Sequence, residues 1–309
     1  MNLHQFRFVR ETVRQNFNLT EAAKVLFTSQ PGVSKAIIEL EEELGVEIFH
    51  RHGKRVRNLT EPGKQILASL ERILQEIETV KSVGKDYAAA DQGSLTIATT
   101  HTQARYILPK IIIEFAKRFP KVHLSIQQGN PSQIAEMVEN DQADLAIASE
   151  QLLDNKHLVA LPAYQWQHNI ITPPDHPLLK LPAITLQELA KYPLITYDAA
   201  FARRKKIDSA FADQQLTPKI VLEAIDADVI KTYVEIGMGV GIIADTAFDA
   251  ARDTQLRALP AENLFGIHCA YIGLKQHAYL RSYIYTFIEL LAPSLKRDQI
   301  QYAINHPDK

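Results

Sequence analysis

Leu3, Phe6, Val9, Val13 and Phe17 recur at steps of three and four residues, which places them on one face of a first helix. In "NLTEAAKVLF", Asn18 and Glu21 have capping-box spacing, and Ala22, Ala23, Val25 and Leu26 give a second, short helix a compact face. The stretch "TSQPGVSKAIIELEEELG" predicts a third helix. Ser29 caps it, Pro31 suits its first turn, Val33, Ile37, Leu40 and Leu44 form its inner stripe, and Gly45 ends it. "VEIFHRHGKRVRNLT" then alternates apolar and basic residues about Gly53, the pattern of a two-stranded ribbon with a basic tip. Three helices and a ribbon make a winged helix-turn-helix.

From Thr60, a candidate cap followed by Pro62, no helix breaker occurs until Gly84. Ile66, Leu70, Ile73, Ile77, Val80 and Gly84 alternate steps of four and three, a coiled-coil rhythm that predicts a dimerising linker helix. The alternative is an amphipathic helix lying on its own domain. Beyond Gly93 the texture changes to β-rich runs between helical ones: "SLTIATT", "KIIIEFAKRF", "VHLSIQQ", "QIAEMVEND" and "ADLAIAS", then a second set from "NIIT" to "VGIIA", closed by "IHCAYIGLK" and "YLRSYIYTFIELLA". Such alternation predicts two α/β lobes around largely parallel sheets. The expected fold is α/β with an amino-terminal winged helix-turn-helix (1–59), a linker helix (60–90) and a two-lobed, periplasmic-binding-protein-like effector domain (91–309). Lobe I would take about 91–164 and 266–309, and lobe II about 165–265.

Composition narrows the function classes. At 309 residues with 46% hydrophobic and 23% charged content, the chain can bury ordinary cores. The start lacks the apolar run of an export signal, and no segment is long and apolar enough to span a bilayer, so a cytoplasmic location with no membrane partner is expected. The single cysteine, Cys269, cannot form an internal disulfide, and its strand-like setting predicts a buried, inert thiol. A net charge of −2 excludes a basic coat over the whole molecule, so any DNA-binding patch is local. The glycines of "GMGVGIIA" follow a helix and precede a strand, the reverse of a dinucleotide fingerprint. No metal-ligand rhythm, serine elbow, phosphate loop or paired catalytic carboxylates stand out, so neither an enzyme nor a cofactor is expected.

"LTEAAKVLFTSQPGVSKAIIELEEELGVEIFHRHGKRVRNLTEPG" resembles the DNA-binding module of the LysR-type transcriptional regulators, with its paired-alanine helix, serine-glutamine-proline helix start and "LTEPG" linker start. "ATTHTQARYILP", "QADLAIASE", "TPPDHPL", "DADVIKTYVEIGMGVGIIA" and "LRSYIYTFIELLAP" are similar to the cysteine-biosynthesis, or CysB-like, group of that family. The resemblance implies a promoter-binding homotetramer, built from dimers and able to engage RNA polymerase, that activates genes of sulfate assimilation. It also implies a cleft that senses N-acetylserine or O-acetylserine, with sulfate, sulfide or thiosulfate acting against it. Alternatives are a regulator of this fold that senses another small anionic metabolite, or an anion-binding transport component.

In the helix-turn-helix reading, Thr28, Ser29, Gln30, Pro31, Ser34 and Lys35 face the major groove, and Arg51, Lys54, Arg55 and Arg57 serve the wing. Gln30 can present a paired donor and acceptor to adenine, whereas Ser29 as a plain cap and the ribbon as a solvated surface are the alternatives. Thr100, Thr102 and Gln103 offer two hydroxyls and an amide where a helix begins, a place suited to an anion; simple capping by one threonine is the alternative. The resemblance adds Ser149, Glu150 and Trp166 to the effector site. It also marks a departure: Ala202 stands where the group carries a threonine, so no hydroxyl is available there, while Arg203 and Arg204 are either sources of charge or exposed helix residues.

Overall fold

The computed structural model describes residues 1–53, 55–88, 91–199 and 202–307, and the side chains of all of these except 82, 85–88, 202 and 203. Lys54, Ala202 and Arg203, singled out above, are therefore outside the described side chains. The chain divides into two compact units, Met1–Tyr87 and Ala88–Lys309.

The first unit holds helices α1 (Leu3–Arg14), α2 (Leu19–Val25) and α3 (Gln30–Leu44), the hairpin β1 (Phe49–His52) and β2 (Arg55–Leu59), and the long α4 (Glu61–Ala88). Asn18 caps α2 through the Thr20 and Glu21 N–H groups, but the Glu21 carboxylate pairs with Lys24, so the reciprocal half of the expected capping box is absent. Ser29 caps α3, and Gly45 closes it in the left-handed conformation. Phe6, Val9, Val33, Ile37, Leu40, Ile48 and Phe49 form one core.

The start of α4 is fixed by a close backbone approach. Thr60 donates its hydroxyl to the Glu47 carbonyl and accepts from Gly63 N–H, while Thr60 N–H bonds the Ile48 carbonyl. A Cβ on Gly63 would stand 2.0 Å from that same Ile48 oxygen, which explains the glycine of "LTEPG". Helix α4 runs through Gly84 without stopping there. Its apolar residues also split differently from the expected seam. Leu70 and Leu74 are buried in the core of their own unit, with Ile66, Leu67 and Ile77 packed beside them, whereas Ile73 and Val80 are exposed. The first turns thus follow the amphipathic alternative, and only part of the seam is left for a partner helix.

The second unit is built on a nine-stranded sheet. In chain order it comprises β3 (Gln92–Thr99), α5 (Leu108–Arg118), β4 (Lys121–Gln128), α6 (Pro131–Glu139), β5 (Leu145–Ala148), β6 (Leu158–Thr172), α7 (Leu186–Leu189), β7 (Leu194–Tyr197), α8 (Ala202–Asp213), β8 (Ile220–Ala224), α9 (Ala227–Glu235), β9 (Val240–Ala244), β10 (Arg257–Pro260), α10 (Glu262–Phe265), β11 (Ile267–Lys275), α11 (Ser282–Leu291) and α12 (Arg297–Asn305). The strand order is β4-β3-β5-β11-β6-β9-β7-β8, with β10 added on β6. β3 is parallel to β4 and β5, and β7 to β8 and β9, while the long antiparallel pair β6 and β11 joins the two sets. "YQWQH" is therefore the middle of a fifteen-residue strand. Strand β10 and helices α10 and α12 lie in stretches where the apolar pattern predicted no element.

Separate cores accompany the two strand sets. Leu95, Ile97, Leu108, Phe115, Leu145 and Ile147 pack with Ile272, Leu274, Phe287, Ile288, Ile300 and Ile304, so the carboxyl-terminal residues complete the first lobe. Residues from Ile170 to Phe265 form the cores of the second. The glycines of "GMGVGIIA" are structural: Gly237 takes a left-handed φ of 80° as α9 ends, and Cβ atoms on Gly239 and Gly241 would press on Pro193 and Ile171.

Candidate effector cleft and DNA-reading face

The apolar run of β3 ends at Thr99, and a helix begins at once with His101 and Thr102. Gln103–Ile107 forms a π-turn before α5 proper, a widened turn that occurs frequently at functional sites. Thr100, Thr102 and Gln103 are all buried, and the Thr100 hydroxyl donates to the Gln103 side-chain oxygen. The Gln103 NH2 group is a hydrogen-bond donor, the kind of group that suits an anion. Register brings the other expected residues near. Thr99 pairs with Ile147 across parallel strands, so Thr100 and the buried Ser149 emerge at neighbouring carboxyl ends. Gly129 N–H bonds the Thr99 carbonyl, which sets the end of β4 beside them. Ligands of doubly wound α/β sheets sit at such ends.

Trp166 is buried on β6 and faces His268 of β11 in register, with ring centroids 4.6 Å apart. His168, two residues on and fully buried, lies 5.0 Å from both rings and 5.3 Å from Phe265. This three-ring cluster on the central ribbon was invisible in the linear spacing of histidines, although the "WQH" alternation does put Trp166 and His168 on one strand face. Burial pushes the His268 imidazole below its ordinary pKa, with nearby Lys206 acting the same way and Glu150 opposing. Glu150 accepts from the Cys269 N–H at 3.2 Å and lies 3.8 Å from His268 Nδ1, so its carboxylate is engaged with β11. Cys269 is half-buried rather than buried; burial raises its thiol pKa, and its Sγ donates to the Ala270 carbonyl, consistent with an unreactive thiol.

A polar bridge joins the first lobe to the second. The Tyr106 hydroxyl donates to Asp228 Oδ1 at 2.6 Å, Arg105 reaches Asp228 at 2.8 Å, and the Lys231 ammonium lies 4.9 Å above the Tyr106 ring while pairing with Asp253 at 3.1 Å. Burial alone would raise the Asp228 carboxyl; the Tyr106 bond and the Lys231 and Arg105 charges outweigh it and hold it below the usual carboxylate range. Burial and the bond to Asp228 push Tyr106 up to about 12. His101, Asp226 and Asp228 also bring potential metal-ligand atoms within 4.8 Å of one another, a grouping their spacing in the chain did not suggest. Asp228 is already matched by Arg105 and Tyr106, and Asp226 caps α9 through Val229 N–H, so this set reads as part of the bridge. Arg204 is neither exposed nor a source of charge for a ligand: its guanidinium binds Asp208, Glu223 and the Tyr197 carbonyl.

In the first unit, Thr28, Ser29 and Pro31 are exposed at the start of α3, and Gln30 and Ser34 are half-exposed on its first turns. Lys35 is exposed and lies 3.7 Å from Glu39. Gln30 and Arg55 line one groove with Asn16, Asn18 and Thr20, which sets the recognition-helix start and the wing on a common polar face. Arg51 is differently placed. Its guanidinium bonds the buried Glu41 at 2.7 Å, and Glu41 also accepts the Ile48 and Phe49 N–H groups, so Arg51 ties the root of the wing to α3. Arg55 and Arg57 remain exposed.

Residues 3–64 match the model of the bacterial regulatory helix-turn-helix protein, lysR family, and residues 88–296 match the LysR substrate binding domain. The chain is 70% identical over 304 residues to the HTH-type transcriptional regulator CysB of Burkholderia cenocepacia, covering 98% of this chain and 97% of that protein. It is 52% identical to the HTH-type transcriptional regulator SsuR of the same organism, covering 97% of each. The crystal structure of the cofactor-binding domain of the Cbl transcriptional regulator superposes with a TM-score of 0.67 at 43% identity, covering 69% of this chain and 93% of that one.

Proposed function

Because the chain belongs to the LysR family of helix-turn-helix transcriptional regulators and is not an enzyme, we propose that it activates genes of sulfate assimilation and cysteine biosynthesis in response to an acetylserine-type anion. The observation that supports the effector assignment is that Thr100, Thr102, Gln103 and Ser149, all buried, follow the carboxyl ends of the adjacent parallel strands β3 and β5. Hydroxyl and amide donors at a helix start hold a carboxylate or sulfate without a full cationic partner. In this reading Trp166, packed with His168 and His268 on the central ribbon, contributes an apolar wall, and Glu150 acts through its hold on β11. N-acetylserine or O-acetylserine is the inducer in this reading, and sulfate or thiosulfate competes for the same donors.

On DNA, the amino end of α3 enters the major groove and Arg55, with Lys54 and Arg57, holds phosphates across the wing. Thr28, Ser29, Gln30, Pro31, Ser34 and Lys35 lie where base edges and flanking phosphates would be met. Two copies pair through the exposed part of α4, and two pairs form a tetramer that bends or releases promoter DNA and engages RNA polymerase as the lobes shift. A second reading keeps the fold and the DNA role but changes the metabolite. It is favoured by Ala202, which removes a hydroxyl that the resemblance leads one to expect.

Calorimetric titration with N-acetylserine, O-acetylserine, sulfate and thiosulfate separates the two. An acetylserine that binds to the native protein and weakens at least tenfold in Thr102→Ala, the effect of losing about 1.4 kcal/mol, supports the first reading. Binding of none of the four, or an indifferent Thr102→Ala, overturns it.

A further inference from the structure

Helix α2 ends in a two-bond Schellman closure. Phe27 N–H bonds the Lys24 carbonyl at 3.1 Å, and Thr28 N–H bonds the Ala23 carbonyl at 2.9 Å. The residue that must turn left-handed in this closure is Phe27, with a φ of 51°, a place where glycine is the usual occupant and a bulky side chain is strained. Its ring is 97% exposed, so the folded chain returns nothing for that strain or for the apolar surface left in water.

Phe17 offers an internal comparison. It too has a left-handed φ, 64°, at the end of α1, but its ring packs edge-on against Phe49 at 6.2 Å within the core of the unit. There the strain is offset by burial. At Phe27 the offset has to come from outside the chain, and what lies next to it is the start of the recognition helix: Thr28, the cap Ser29 and Gln30 follow directly.

We propose that Phe27 reads DNA, its ring resting on the C5 methyl group of a thymine in the major groove beside the amino end of α3. This rests on the DNA role assigned to α3 above. The thymine methyl is the apolar feature that the major groove presents, and apolar side chains beside a recognition helix recognise it. The ring carries no charge, so it contributes preference for a base rather than counterion release.

The test uses full-length protein and a duplex recovered by it from a randomised pool. Phe27→Ala weakens binding to that duplex about fourfold, the worth of one buried methyl group, and leaves the salt slope unchanged. Replacing one thymine at the edge of the recognised site by deoxyuridine weakens the unaltered protein by a similar factor and costs the variant nothing further. Phe27→Gly has effects of opposite sign: slower hydrogen exchange of the amides at the α2–α3 junction, because the left-handed strain is relieved, together with the same loss of affinity. The proposal is overturned if Phe27→Ala binds as the unaltered protein does, or if it weakens thymine and deoxyuridine duplexes equally, which places the ring on a sugar. Faster exchange in Phe27→Gly overturns it too, since the ring would then be packed. If no sequence is recovered from the pool, the DNA role itself fails and this proposal with it. If a sequence is recovered and Gln30→Ala changes its preference while Phe27→Ala does not, only this proposal falls.

Discussion

At the scale of single residues, the two wing arginines show how little residue type says without its partners. Arg51 and Arg55 sit four apart in a basic ribbon, yet one is bound to a buried carboxylate and the other is exposed on the groove. Arg51→Ala leaves Glu41 facing two backbone donors without its cationic partner and is expected to cost about 2–3 kcal/mol of stability in denaturant unfolding, with the salt slope of DNA binding unaltered. Arg55→Ala is expected to do the reverse, flattening that slope by about one unit with no measurable loss of stability. His268, packed against Trp166 and His168, gives the protein a dependence on pH. Its folded pKa is depressed, so the neutral form is favoured in the folded state and the unfolded chain binds the extra proton. Stability from this site is therefore complete above the ordinary histidine pKa of about 6.5 and declines as pH falls below it. Thermal unfolding of His268→Gln should show a shallower decline between about pH 6.5 and 5 than the native chain. Equal slopes would remove His268 as the source.

At the scale of elements, the helices and strands that were legible are those with an uninterrupted period. The three-and-four spacing of α1 and α3 and the caps at Asn18 and Ser29 are local, so the chain states them in a few residues. Helix α12 follows Pro293 and carries only Ile300 and Ile304 toward the core, too sparse a stripe to announce itself. The seam of α4 was half legible for another reason. Periodicity shows which residues share a face, but a face two residues wide can turn toward its own unit or toward a partner, and Leu70 and Leu74 turn inward. This yields a contrast between variants. Leu74→Ala is expected to cost about 2–4 kcal/mol of stability without altering sedimentation of the folded protein. Ile73→Asp with Val80→Asp is expected to leave stability near that of the native chain but to shift sedimentation toward the single chain and to lower affinity for paired DNA half-sites. The candidate cleft was legible at Thr100, Thr102 and Gln103 because a strand-to-helix junction is local; the meeting of Trp166, His168 and His268 depends on strand register across about a hundred residues of chain and has no local signature.

At the scale of the whole effector-binding unit, what matters is how the lobes are joined. Strand β11 pairs with β5 of the first set, its partner β6 pairs with β9 of the second, and the bridge from Tyr106 and Arg105 to Asp228 ties the helices on one side. Asp228→Asn removes the charge that Arg105 and Lys231 meet. The expected outcome is a change of about three- to tenfold in affinity for whichever anion binds the cleft, with Thr100, Thr102 and Gln103 untouched, because the variant alters the balance of lobe arrangements rather than the contacts. The Asp228 carboxylate of this bridge keeps its charge in mild acid. The folded pKa of Asp228 is depressed, so its contribution is present above the ordinary carboxylate value of about 4 and is lost only as pH falls below that. Titrations repeated at pH 5.5 and 7.5 check this by showing the native-to-variant ratio unchanged.

The interleaving of the first lobe has a consequence in time. Its core joins Leu95 and Ile147 to Ile272, Phe287 and Ile304, whereas the second lobe draws its cores almost wholly from one continuous stretch between them. During synthesis the second lobe can close while the first still waits for the last strand and helices to leave the ribosome, its edge at β5 uncovered until β11 arrives. A premature stop in the final forty residues would therefore spare the later-encoded lobe and unmake the earlier one, the lobe that carries Thr100, Thr102 and Gln103.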